Sequence, residues 1–197
     1  MVGPILVLYY SLHGATRNLA NKIALGAQMQ GADVIVRTVP KVSTGIDFEQ
    51  QPVPESGDPY VTLEELASCS GLALGSPTRF GNMSSAMKHF WDSTSSLWLS
   101  ANLSGKPGCV FTSSSSMHGG QESTLLTMMI PLLHHGMLIS GLPYSEPELH
   151  STQTGGSPYG VSHLSVQNKS ELSQDEQALC IAQGKRLALI AQKLGQK

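Results

Sequence analysis

Apolar residues in this chain fall into short unbroken runs, separated by longer stretches in which they recur every third or fourth position. Ile5 to Tyr10 is the first such run, free of turn residues, as expected of a parallel strand covered on both faces. It opens into Ser11-Leu12-His13-Gly14-Ala15-Thr16, and a helix is predicted from about Thr16. Leu19, Ala20, Ile23, Ala24 and Ala27 share one face of that helix, which Gly31 ends. Asp33 to Val39 reads as a second strand stopped by Pro40. Lys41 to Tyr60, with Pro52, Pro54, Gly57 and Pro59, reads as a long irregular insertion.

Thr62-Leu63-Glu64-Glu65 has the form of a capping box, with Val61 and Leu66 as its hydrophobic staple. A third strand is predicted over Gly71 to Ser76, and an amphipathic helix from Met83 to Trp91 with Met83, Ala86, Met87 and Phe90 inward. Gly108 to Thr112 is a fourth strand, Thr124 to His135 a helix and Met137 to Ile139 a fifth strand. Gly141 to Ser170, rich in Gly, Ser and Pro, reads as a second long insertion. Ser173-x-x-Glu176 is another capping box, opening a last helix with Cys180, Gly184, Leu187, Ala191 and Leu194 along one face. Strands alternating with helices require right-handed crossovers that cover a parallel sheet on both sides. The expectation is a doubly wound α/β fold with five parallel strands, forming one domain over residues 1–197.

The length of 197 residues suits one well-packed domain. Only 13% of residues are charged against 40% hydrophobic, which leaves room for subunit contacts on the surface. A net charge of -2 without a basic cluster gives no footprint for nucleic acid or an anionic membrane. Cys69, Cys109 and Cys180 are odd in number and set among small apolar neighbours, as reduced core thiols of a cytoplasmic protein would be. No apolar run approaches the ~20 residues of a membrane helix and no leader precedes the first strand, so a soluble cytoplasmic protein is expected.

The first loop carries the chemistry. Helix N-termini hold unpaired N–H groups and partial positive charge, so these amides with the Ser11 and Thr16 hydroxyls can hold a phosphate without a lysine, and Gly14 lets the backbone come close. The loop is neither a Walker A motif nor a Gly-x-Gly-x-x-Gly fingerprint. In an open parallel sheet ligands bind beyond the carboxyl ends of the strands. Two further loops arrive there: Pro77-Thr78-Arg79-Phe80-Gly81-Asn82, and Ser113-Ser114-Ser115-Ser116-Met117-His118-Gly119-Gly120-Gln121. Three donor-rich loops on one edge suit a planar polar ligand with an anionic tail. His134 and His135 are adjacent and project apart, and no metal-binding spacing exists. By spacing alone, a satisfied core histidine is the better reading for His134 and for His135, and a core aromatic would be ordinary at Trp98.

Taken together, Val7 to Ser11, Gly75 to Ser84, Leu97-Trp98, Gly119 to Glu122, His134 to Met137 and Ser157 to Gly160 resemble, in order and over nearly the whole chain, the WrbA branch of flavodoxin-like NAD(P)H:quinone oxidoreductases. The resemblance implies a flavodoxin-like fold, FMN as cofactor, NADH or NADPH as hydride donor, and two-electron reduction of a small-molecule quinone by ping-pong transfer. It implies that Ser11, Leu12, His13, Gly14, Ala15 and Thr16 hold the FMN phosphate. Pro77, Thr78, Arg79, Phe80, Gly81 and Asn82 would run along the isoalloxazine. Ser113, Ser114, Ser115, Ser116, Met117, His118 and Gly119 would contact its pyrimidine side or ribityl chain. His134 would touch the flavin, and His134 or water would supply the proton. Phe80, Trp98, Tyr144 and His13 would line the slot for nicotinamide and quinone, in part across a subunit boundary of a homotetramer. Two features depart from the family pattern: His13 stands where an aromatic is usual, and the serine loop is one residue longer. The rival readings are a one-electron flavodoxin-like carrier and a flavin-binding regulatory protein.

Overall fold

The computed structural model describes residues 3–42, 54 and 57–195. The expected irregular insertion at 41–60 lies for the most part outside the described residues. Strand β1 (Ile5–Tyr9) is buried at every position and pairs in parallel with β2 (Val34–Thr38) on one side and β3 (Gly71–Pro77) on the other. Beyond β3 comes β4 (Pro107–Ser114), also buried throughout. The next sheet position is shared by two short strands. β5 (Leu138–Ile139) pairs with Pro107 and Gly108, and β6 (Val161–Leu164) pairs with Phe111 to Ser114. The order is therefore β2-β1-β3-β4-β5, with β6 also beside β4. Five sheet positions are filled by six strands, because the presumed insertion at 141–170 contains β6.

One face of the sheet is covered by α1 (Ala15–Met29) and α7 (Gln174–Gly195). These two helices touch backbone to backbone. A Cβ on Gly184 would stand 2.0 Å from the Ile23 carbonyl oxygen, and one on Gly26 would stand 2.2 Å from that of Ile181. Leu19, Ile23, Leu179 and Leu187 fill the space between helices and strands. On the opposite face lie α2 (Leu63–Ser68), α3 (Ser85–Asp92) and α5 (Gln121–His134), with Leu66, Met87, Trp91, Leu125 and Met128 in the core. A short helix α4 (Ser95–Leu99) follows α3, and α6 (Glu148–Ser151) sits between β5 and β6.

Both capping boxes form. The Thr62 hydroxyl accepts from Glu65 N–H while the Glu65 carboxylate accepts from Thr62 N–H. Ser173 and Glu176 reciprocate in the same way. Several boundaries differ from the sequence reading. Met83 lies outside α3, whose first amides are capped by Ser84. Thr94 to Ser96 lead into the separate α4. Helix α5 starts three residues earlier than expected, after Gly120 in the left-handed region. Leu194 is half-exposed at the end of α7, beyond the reach of the sheet. Among the described residues no helix is long and apolar enough to cross a membrane, and no group of three metal-ligating side chains is brought together.

Candidate functional site

Strand order reverses between β1 and β3, so the loops after β1 and β3 diverge to opposite faces and leave a crevice at the carboxyl edge. A cavity of about 250 Å³ opens there. Its walls are Ser11, Leu12, His13, Ala15 and Thr16 from the first loop, Pro77, Thr78 and Arg79 from the second, and Ser113, Ser114 and Ser115 from the third. Ser165, just past β6, completes the lining.

The first loop is shaped by Gly14, which caps α1 with φ at +89° and no side-chain cap. Ser11 Oγ accepts from Gly14 N–H at 3.1 Å, so the loop folds on itself. Among the described residues, the amides of Leu12, His13, Ala15 and Thr16 find no protein acceptor, the usual state of a helix N-terminus. Thr16 is buried, its hydroxyl 2.9 Å from that of Ser113, which joins the first and third loops at the cavity floor. Among the described residues no carboxylate lines the cavity, and α1 has no acidic residue in its first turn. Unpaired amides, buried hydroxyls and the positive end of a helix, without a competing anion, fit a phosphate tail.

The second loop is a tight reversal. Arg79 and Asn82 exchange backbone hydrogen bonds of 2.7 and 3.1 Å, with Phe80 and Gly81 at positive φ between them. Phe80 is fully exposed, while the Arg79 guanidinium folds back onto the Thr78 carbonyl. Thr78 N–H donates to Ser113 O, and Thr124 donates to the Thr78 hydroxyl at 2.7 Å. Gly120, at φ +97°, closes the third loop against the second, where a Cβ would stand 2.8 Å from Thr78 Oγ1. The expected site residues Ser116, Met117, His118 and Gly119 are exposed and stand outside the cavity lining.

The structure separates the remaining candidates from this cavity. His134 and Trp98 line a second concavity, of about 550 Å³, together with Asn82, Trp91, Ile130 and His135. There His135 Nε2 lies 3.0 Å from Thr94 Oγ1, and burial together with neighbouring His134 holds its pKa below the usual value. Tyr144 lines neither cavity and packs at a tilt of 44° against His150, centroid to centroid at 5.5 Å. All three cysteines are buried free thiols. Burial pushes Cys69 up to about 11 and Cys109 to about 12, and Cys180 well above the ordinary value, so none is a ready nucleophile.

Ser165 is the cavity residue that sequence reasoning missed. It is brought in by a bond from its N–H to the Ser114 carbonyl, a continuation of the β4–β6 ladder. The only local signal for it is the pair of apolar residues Val161 and Leu164 flanking two polar ones.

A parallel sheet in the order 2-1-3-4-5 with an amide-lined cavity at its switch point defines a flavodoxin-like fold. Residues 4–145 match the NADPH-dependent FMN reductase family, and the chain belongs to it. Curated relatives agree over nearly full length. A protein of Geotalea daltonii named NAD(P)H dehydrogenase (quinone) is 43% identical over 199 residues, covering 96% of this chain and 97% of its own. One of the same name from Rhizobium rhizogenes is 42% identical over 194 residues, covering 96% and 98%. Among solved structures, the flavodoxin-like WrbA-like protein of Agrobacterium tumefaciens superposes with a TM-score of 0.67 at 21% identity, over 97% of this chain and 98% of that one. Oxidised flavodoxin 2 of Bacillus cereus gives 0.58 at 17% identity, over 96% and 98%. These two likenesses concern the fold.

Proposed function

We infer that the chain is an FMN-dependent NAD(P)H:quinone oxidoreductase. The observation that carries this is the convergence of three strand-end loops on an amide-lined cavity in a chain 43% identical to a named quinone reductase. When bound, FMN supplies a two-electron carrier that NADH or NADPH reduces and a quinone reoxidises. The chain's part is to hold and shield. The free amides of α1 with Ser11, Thr16 and Ser113 take the phosphate. Thr78, Arg79 and Phe80 flank the ring, and Ser114 and Ser115 take its polar edge. Phe80, next to the cavity residue Arg79, is fully exposed, and we place its bare aromatic face where a planar substrate can stack.

His134 and Trp98 line a different concavity, which supports reading them as parts of a neighbouring subunit's site. A homotetramer accounts for this. Leu126, Ile130 and Leu133 form an exposed apolar stripe along α5, and Trp98 and Leu99 extend it. Covering that stripe by a second copy would carry His134 and Trp98 toward the partner's cavity. The Leu133→Glu variant is expected to elute as a smaller species in size-exclusion chromatography and to lose quinone turnover while it still binds FMN. Unchanged assembly would reject this surface as the contact. With reduced thiols, a nicotinamide donor and no nucleic-acid footprint, the cytoplasm is the compartment proposed.

The test is the anaerobic visible spectrum of FMN-loaded protein through addition of NADPH, then benzoquinone. Direct two-electron bleaching followed by full recovery is expected. Bound flavin that neither NADPH nor NADH bleaches would leave a carrier or a regulatory protein instead.

A further inference from the structure

Behind the phosphate side of the cavity lies a buried ion pair. His163, on β6, is 3% exposed and Glu176, in the first turn of α7, is 0% exposed. His163 Nδ1 is 2.9 Å from Glu176 Oε2, and its Nε2 is 3.0 Å from the Lys169 carbonyl oxygen. Both partners are acceptors. The Glu176 carboxylate already accepts from Ser173 N–H and Leu164 N–H, and a carbonyl has no proton to give. A neutral imidazole donates from one nitrogen only, so with Glu176 ionised, the form its two backbone N–H donors favour, satisfying both contacts requires the imidazolium.

The segment held in this way is the one that closes the cradle. Lys169 O also accepts from Ser165 Oγ at 2.7 Å, and Ser165 is in the cavity wall. One residue on, Ser170 O accepts from Asn18 Nδ2 of α1 at 2.7 Å, and the Ser170 side chain lies against Gly14. Across the ladder His163 faces Ser113, the floor of the cavity. We propose that His163 is a positioning residue for the cofactor phosphate: its imidazolium ties the 165–170 turn to α7, and loss of its proton loosens FMN selectively at the phosphate.

The surroundings leave this proton isolated. Helix α7 brings Glu176 and the Cys180 thiol, β4 brings Cys109 on the same face, α1 brings Lys22 near Cys180, and the turn brings the exposed Lys169 side chain. Both thiols ionise far above neutral, as described. Burial works against the His163 cation, yet Glu176 and the Lys169 carbonyl outweigh it, so its pKa lies above the ordinary 6.5. Burial also opposes the Glu176 charge, and His163 with the Ser173 amide outweighs that, so its pKa lies below the ordinary 4.5. The Glu176 contribution is therefore complete above 4.5 and lost as pH falls through its lowered folded value. That of His163 is complete below 6.5 and lost as pH rises through its raised one.

The experiment is FMN and riboflavin affinity by fluorescence quenching from pH 6.5 to 9.5, on native protein and on His163→Gln. This range lies above the second ionisation of a phosphomonoester, at about 6. The native FMN dissociation constant is expected to rise about tenfold in one proton step, the loss of one charge-assisted hydrogen bond. Riboflavin, lacking the phosphate, should show no step, and His163→Gln should bind FMN more weakly without pH dependence. A flat native profile, a step that survives in His163→Gln, or an equal step for riboflavin would each overturn the proposal. So would side-chain 15N shifts showing His163 already mostly neutral at pH 6.5, a measurement on native protein that stands even if the variant does not fold. The proposal rests on FMN as ligand. Absence of FMN binding at pH 7 would count against that reading, and the 15N shifts would still judge the clamp.

Discussion

Thr16→Asp will lose FMN while remaining folded. Thr16 occupies the second position of α1, buried beneath the free amides, with its hydroxyl on Ser113. A carboxylate there is accepted by the helix, since the unpaired amides and the positive end of α1 offset the cost of burying it, and α1 has no acid in its first turn. It is hostile to the ligand for the same reason, because it takes the amides that would hold the phosphate. Like charges about 4 Å apart repel by about 4 kcal/mol at a protein-surface dielectric, roughly a thousandfold in dissociation constant. Thr16→Val removes only a hydroxyl and is expected to weaken FMN about tenfold. Fluorescence titration of both variants with FMN and riboflavin reads this directly. If Thr16→Asp bound FMN within about threefold of native protein, the phosphate would have to sit elsewhere, since so small a change is under 1 kcal/mol.

What the sequence makes legible here is what short-range physics determines. The β1 run, both capping boxes, the inward face of α1 and the Ser11–Thr16 loop each depend on residues within one or two turns of one another, and each forms as read. Elements that depend on distant partners were not legible. Val161-Ser162-His163-Leu164 is too short and too polar to announce a strand. It becomes one because Phe111 to Ser114 offer a free edge that β5, two residues long, leaves open. Ser165 enters the cavity only through that pairing. The placement of His134 and Trp98 was hidden for a related reason. A motif fixes their order along the chain, but the packing of α4 and α5 decides which concavity they face. The early start of α5 was masked because Gln121, Glu122 and Ser123 are polar and Gly120 supplies no side-chain cap.

The same logic makes one glycine in mid-strand decisive for the site. Gly75 lies on β3 between Tyr9 of β1 and Phe111 of β4, and a Cβ there would stand 2.0 Å from Phe111 Cε2 and 2.2 Å from Cζ. The Phe111 ring is fully buried between the sheet and the α1–α7 layer, so it has no open space to rotate into. Gly75→Val must therefore part β3 from β4. Overpacking of this kind costs about 1–3 kcal/mol or more, and in a chain of this length about 3 kcal/mol lowers Tm by roughly 6–12 °C. The effect on the site should exceed the effect on stability. One residue further along, Thr112 Oγ1 donates to Ser76 O and Ser76 Oγ reaches Ser84, the contacts that set the second and third loops relative to each other. FMN affinity is expected to fall more than tenfold at temperatures where the variant is still folded, as read by titration beside a thermal melt. Phe111→Leu in the same chain removes the obstructing ring edge and should restore part of both. Additive losses in the double variant would mean that Gly75 is required for a reason other than the Phe111 ring.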